Sequence, residues 1–295
     1  MNETPAEPFI SKPIEGTPEG APYEGAPYAA EKVGHPFKGA NAAENVGHPF
    51  MENVGHPFKG ASNAQRRALA ISEVLLCSSV PTQLLLQAVM VGVFGWSPLT
   101  ADDQFSLSFV VTMSLADTLL LIGLMVVLTR AHGESVRELW IGRRPLLRET
   151  LLGLALVPWI FLMVVVLLNA IRLLAPALHN VETNPMEQLA SGGALNAAAF
   201  ALVAIFAGGV REELQRAFLL RRFELHLGGA RAGVVVLSVA FGLGHAVQGW
   251  DAAVTTGALG AVWAVLYLRR RSSVAPLISH AGFNSLEVLR IAIVG

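Results

Sequence analysis

From Ala68 onward the chain is a succession of long apolar runs separated by short polar stretches. A membrane-crossing helix needs about 20 mainly apolar residues. The runs predict about seven such helices, over 68–94, 105–129, 150–174, 195–210, 230–247, 252–268 and 274–294. Pro81 predicts a kink in the first, because its ring removes a donor and crowds the preceding turn. The fourth is short, but it runs on into a helix that carries Glu212. The last two are rich in Gly, Ala and Ser, which favours close contact between helices. The pattern predicts an all-α fold, a polytopic transmembrane helical bundle over 65–295.

Residues 1–64 read differently. Gly, Pro, Ala, Asn and Glu dominate, and Val-Gly-His-Pro-Phe recurs at 33–37, 46–50 and 54–58. Such a segment buries too little apolar surface to offset its ordering entropy, so a disordered tail is expected. It lacks the apolar core and cleavage site of a signal peptide, and its repeats are too short and uneven for a solenoid. His35, His48 and His56 suggest a metal-binding tract. Gly and Pro beside each His leave it in no fixed geometry, which favours a solvated tail.

Composition agrees with the membrane reading. The chain is 53% hydrophobic and only 15% charged, with a mean hydropathy of +0.52, too apolar for an ordinary soluble domain. A net charge of -1 gives no sign of a nucleic-acid partner. Cys77 alone excludes an intrachain disulfide framework and reads as a small buried or lipid-facing hydrophobe. Loop charge supplies an orientation. Lys59, Arg66 and Arg67 precede the first helix; Arg130, Arg137, Arg143, Arg144 and Arg148 follow the second. Arg211, Arg216, Arg221, Arg222 and Arg231 follow the fourth, and Arg269, Arg270 and Arg271 precede the last. The alternate loops 95–104, 175–194 and 248–251 hold no Lys or Arg. By the positive-inside rule the N-terminus and the Glu212 segment are expected in the cytoplasm and the C-terminus outside, in the plasma membrane.

Chemistry concentrates in three places. Arg211-Glu212-Glu213-Leu214-Gln215-Arg216 follows directly on an apolar run, and Phe241/His245 and His280/Asn284 are each spaced by four. Residues four apart share a helix face. Taken singly, a histidine in an apolar helix is usually a hydrogen-bonded core residue, and a Glu–Arg pair at a helix end is usually an interfacial salt bridge. Charged groups in apolar segments nevertheless suggest a functional site by default, and the three pieces together suggest one site held between helices.

In that order, Glu-Glu with Arg, Phe-x-x-x-His and His-x-x-x-Asn resemble the CAAX protease and bacteriocin-processing family of intramembrane proteases, which includes type II CAAX prenyl endopeptidases. The resemblance covers about residue 134 to the C-terminus. It includes Asn184-Pro185 and the Pro276-Leu277-Ile278-Ser279 approach to His280. It implies a helical membrane fold with an internal cavity open to the cytoplasm, and a protein or peptide substrate entering from the cytoplasmic side or the membrane. Glu212 would act as general base with Glu213 beside it, and His245 would orient or activate the water. His280 and Asn284 would hold the oxyanion, with Arg216 and Phe241 in support. The residue types suit hydrolysis, which needs a base for water and donors aimed where negative charge develops.

One spacing departs from the family pattern. Three residues are expected between the second glutamate and the arginine, and only Leu214 and Gln215 stand here. Aligning on Arg216 puts Arg211 in the first glutamate's place, and arginine is no base; aligning on the pair keeps Glu212 and is preferred. No cofactor is required. A divalent metal such as zinc is an alternative use of Glu212, His245 and His280, although no His-Glu-x-x-His segment occurs. Rival functions are a non-catalytic immunity or scaffold protein of the same fold, and a small transporter or channel. Several other residues have plainer readings. Asp117, mid-segment, is expected to bond Ser or Thr neighbours rather than relay protons. Trp96, Trp140, Trp159, Trp250 and Trp263 are expected as interfacial anchors, Arg269–Arg271 as a topology signal, and Arg222 and Glu224 as cytoplasmic surface.

Overall fold

Short polar side chains start three of the helices. In the computed structural model, which describes residues 60–182 and 184–294, the Gln65 N–H donates to the Ser62 hydroxyl, and the Ser62 N–H donates to the Gln65 side chain. This capping box opens α1 (Asn63–Leu76). The chain then breaks at Ser79, whose φ is +73°, and resumes as α2 (Val80–Gly92) with Pro81 in its first turn. The two axes differ by 43°, so the kink expected at Pro81 is a full break. Ser106 and Ser135 cap α3 (Leu107–Ala131) and the short α4 (Val136–Trp140). The Val-Gly-His-Pro-Phe repeats and His35, His48 and His56 lie outside the described residues.

The remaining elements are α5 (Leu146–Leu174), α6 (Pro185–Ser191), α7 (Ala194–Val203), a π-helical segment (Ala204–Arg211), α8 (Glu212–His226), α9 (Gly229–Gly244), α10 (Trp250–Arg270) and α11 (Val274–Val294). No strand occurs among the described residues, and the fold is all-α. Leu107–Ala131, Leu146–Leu174, Ala194–His226 and Trp250–Arg270 are long and apolar enough to cross a bilayer; the bent α1–α2 pair makes a fifth if it counts as one span. All seven apolar runs are therefore helical, and four or five of them meet the length and apolarity of a span. α9 is shorter, at 16 residues, and α11 carries His280, Asn284, Glu287 and Arg290.

Helix pairs approach closely where side chains are small. A Cβ on Gly242 of α9 would lie 2.5 Å from the Ala253 carbonyl oxygen of α10, and one on Gly153 of α5 would lie 2.7 Å from Ile278 Cβ of α11. Small residues substitute for hydrophobic driving force in membrane packing, since lipid tails are as apolar as leucine. The exterior bears this out, for Leu119, Leu147, Leu173 and many other large apolar side chains face outward. The chain is an integral membrane protein.

Several charged side chains, by contrast, are inside and paired. Glu149 of α5 is fully buried and accepts from Arg270. Arg222, expected on the surface, is 1% exposed, with Glu73 of α1 at 2.7 Å and Glu134 at 2.9 Å. Its partners are distant in sequence, so nothing local announces its burial. Arg271 holds Glu224 at 2.6 Å; two residues of the Arg269–Arg271 run thus tie the end of α10 to α5 and α8. At the start of α10, Asp251 holds Arg172 and His179, both at 2.9 Å. Arg172 lies in the last turn of α5, beside a loop with no cation, and Asp251 offsets its charge. Cys77 is fully buried in the apolar cluster with Leu121, Met125 and Phe218.

The α9–α10 approach leaves no room for a side chain. Gly242→Val is expected to cost about 1–3 kcal/mol and to lower the thermal unfolding midpoint in detergent. Gly123→Ala, whose added methyl meets open space, is expected to leave the midpoint unchanged or raise it, because alanine loses less backbone entropy in a helix than glycine.

Candidate active site

The π-helical segment sets the geometry. A π turn holds an extra residue, and such turns are frequent at functional sites. Within it Gly208 and Gly209 lie under α11. A Cβ on Gly209 would stand 2.6 Å from Ala281 Cβ, and one on Gly208 would run into the Asn284 amide. Asn284 Nδ2 donates to the Ala204 carbonyl at 2.9 Å. The close approach sets His280 beside the first turn of α8, where the adjacent carboxylates begin.

Those two carboxylates have unequal surroundings. Glu213 is 1% exposed. It is paired with Arg216 one turn on, and it accepts from His280 Nδ1 at 2.8 Å. Arg216 also covers the Phe241 ring, 4.7 Å from its centroid, and faces Trp263 at 5.6 Å. Trp263 stacks on the His280 imidazole with centroids 3.8 Å apart and 16° between planes, and its Nε1–H donates to Ser279. Glu213, Arg216, His280, Phe241 and Trp263 thus form one closed unit. Glu212 stands at its edge with 17% of its side chain exposed, its Oε1 3.2 Å from Arg211 and its Oε2 3.9 Å from His280 Nε2.

His245 ends α9. Its Nδ1 lies 2.8 Å from the Phe241 carbonyl. A carbonyl only accepts, so Nδ1 carries the hydrogen and the neutral ring keeps its lone pair at Nε2. The His245 ring meets the Phe241 ring edge-on at 4.8 Å, and Phe241 meets His280 at 6.2 Å. The three sequence pieces therefore converge on Phe241 and His280. Arg216 pairs with Glu213, His280 lies against both Glu213 and Glu212, His245 joins through Phe241, and Asn284 joins through the π segment.

A zinc shell does not fit this arrangement. Among the described residues no three His, Cys, Asp or Glu side chains converge to hold a metal ion, so Glu212, His245 and His280 are not a ligand set.

Several placements here were not expected from the sequence. Trp263, read as an interfacial anchor, is 1% exposed and packs on His280; its position well inside segment 252–268 was the available signal. Trp140 likewise is buried, donating to the Leu214 carbonyl at 3.1 Å. Asp117 bonds Thr82, as expected of a buried polar residue, and also holds Arg211. Arg211 itself is buried between Asp117 and Glu212 rather than lying at the interface.

Residues 194–286, under half of the chain, match the family model described as Type II CAAX prenyl endopeptidase Rce1-like. This stretch is similar to that family. It runs from the first residue of α7 into α11 and contains Glu212, Glu213, Arg216, Phe241, His245, His280 and Asn284. Helices α1 to α6 lie before it. Searches of curated proteins and of solved structures returned no match.

Removing one partner of a buried ion pair leaves an uncompensated charge. Arg216→Ala in the matched stretch is expected to cost about 3–5 kcal/mol. Arg290→Ala removes an exposed pair with Glu187 and Glu287 and is expected to cost at most about 1 kcal/mol. Unfolding curves in detergent, compared side by side, check the contrast.

Proposed function

We propose that the chain is a glutamate-dependent endopeptidase embedded in the membrane, hydrolysing a peptide bond in a protein or peptide precursor. The family description suggests a CAAX-type prenylated tail as the substrate class. The observation that carries this reading is the inequality of the two carboxylates: Glu213 is enclosed by Arg216 and His280, while the adjacent Glu212 keeps one oxygen open beside the same histidine.

In this reading Glu212 takes a proton from water and the resulting hydroxide attacks the scissile carbonyl carbon. His245, with its hydrogen fixed on Nδ1, offers Nε2 to orient that water. Negative charge then develops on the carbonyl oxygen. His280, donating Nδ1–H to Glu213, presents Nε2–H to that oxygen when both ring nitrogens are protonated. Asn284 gives one amide hydrogen to Ala204 and has a second to offer. The proton held by Glu212 passes to the departing amine. Preorganised donors of this kind contribute strongly in a site shielded from water.

The alternation of basic loops supports a cytoplasmic position for the Glu212 end, with substrate arriving from that side or from within the plasma membrane. A non-catalytic immunity or scaffold role would use the same cluster as a structural knot. The partial exposure of Glu212 favours the enzyme, because a purely structural knot gains nothing from a carboxylate with an open oxygen.

Glu212→Ala and His245→Ala are each expected to lower cleavage of a prenylated CAAX peptide by about 10²–10⁴-fold. Mass spectrometry of the new peptide terminus is the readout, using the full chain in detergent with the unfolding midpoint held. Cleavage at the original rate by both variants would overturn the enzyme reading. Altered solute uptake with no new terminus would favour a transporter.

A further inference from the structure

The Rce1-like match begins at α7, yet a carboxylate from well outside it reaches the candidate active site. Asp117, in the middle of α3, is fully buried. Its Oδ2 lies 2.5 Å from Arg211 NH1, and the other terminal nitrogen of the same guanidinium lies 3.2 Å from Glu212 Oε1. We propose that Asp117 is a positioning residue for Glu212, acting through Arg211. The proposal rests on the hydrolase reading above.

The argument is one of competition for a single fork. Arginine is charged at any ordinary pH and pairs best with a carboxylate through two parallel N–H bonds. Arg216, the other arginine of the motif, is committed to Glu213, so Arg211 is the guanidinium beside Glu212. Left to itself in an apolar site, Arg211 would close on Glu212 with both nitrogens and occupy both oxygens. Asp117 draws NH1 away. Glu212 then receives one bond on Oε1, and Oε2 stays open on the His280 side.

Asp117 is itself well fixed for that task. Thr82 of α2 donates to its Oδ1 at 2.5 Å, and Gln83 to Oδ2 at 3.4 Å. The start of α2 is tied in turn to α8, since Gln215 Nε2 donates to the Cys77 carbonyl at 2.6 Å and to Ser79 at 3.1 Å. Helices α2 and α3 thus complete the surroundings of Glu212 from outside the matched stretch. The break at Ser79 and Pro81 lets α2 turn so that Thr82 faces Asp117.

The test uses the full chain in detergent with a prenylated CAAX peptide as probe. Asp117→Asn keeps the shape and hydrogen-bonding capacity but removes the charge that holds Arg211. It is expected to lower kcat about tenfold or more, with KM within about twofold, since Asp117 does not touch the substrate. The double variant Asp117→Asn/Arg211→Gln removes the clamp as well, and is expected to regain most of the lost kcat. It leaves one carboxylate, Glu212, without a guanidinium, where Arg211→Gln alone would leave two. Unfolding midpoints measured alongside separate this from a merely structural pair, in which kcat would fall and recover only as the midpoint does. Wild-type kcat in Asp117→Asn, or a double variant no better than the single, would overturn the proposal. Glu212→Gln in the same assay separates the two readings: if it cleaves as fast as the unaltered chain, or if that chain does not cleave, the hydrolase reading fails first and this one with it.

Discussion

The pairing of Glu213 with both Arg216 and His280 is the contact on which the rest of the site depends. It joins α8 to α11 across 67 residues of sequence, where Glu213, Arg216 and His280 are all buried. A carboxylate this deeply enclosed is tolerable only if its partners are held in place. Here each partner has its own anchor. Arg216 lies over Phe241 and near Trp263, and the His280 ring is stacked on Trp263. Two rings therefore fix both partners of one glutamate. That arrangement frees the adjacent glutamate from structural duty.

The same logic recurs elsewhere in the bundle. Arg222 lies between Glu73 and Glu134, Asp251 between Arg172 and His179, and Glu149 against Arg270. Each joins helices that the sequence separates widely. With leucine and valine facing outward toward lipid, apolar contact alone discriminates weakly between one helix neighbour and another. Buried charge does discriminate, because a helix placed wrongly would strand an ion in hydrocarbon. We read these pairs as the source of the bundle's specificity more than of its net stability.

How much of this was legible beforehand follows from how local each interaction is. The helices were legible, because an apolar run of membrane length is read off directly. Phe241 with His245 was legible too, as a contact between positions four apart. Trp263 was legible only in part, from its place well inside segment 252–268, and Arg222 was not, since a long cationic side chain near a segment end fits an interfacial role as well as a buried one. Their partners, His280, Glu73 and Glu134, come from other helices. The Asn284 bond to Ala204 was equally hidden, for it depends on a π turn that no residue pattern announces. The number of spans was the least legible feature. α9 is short, and α11 carries the site's own polar groups, so length and apolarity lose force in the elements nearest the chemistry.

The spacing that departs from the family pattern can now be examined as geometry. With two residues between Glu213 and Arg216, the arginine lies one turn ahead of the second glutamate and pairs with it. A third intervening residue would carry the guanidinium about 100° further round the helix, away from that pairing. Arg211, in the position just before the carboxylates, faces Glu212 instead. The motif therefore holds two guanidiniums and two carboxylates in crossed duty, the later arginine serving the enclosed glutamate and the earlier one serving the open glutamate. A second guanidinium so close would ordinarily consume the open carboxylate. Asp117 keeps it shared, and for that reason the shortened spacing and a carboxylate on a helix outside the matched stretch belong to one arrangement.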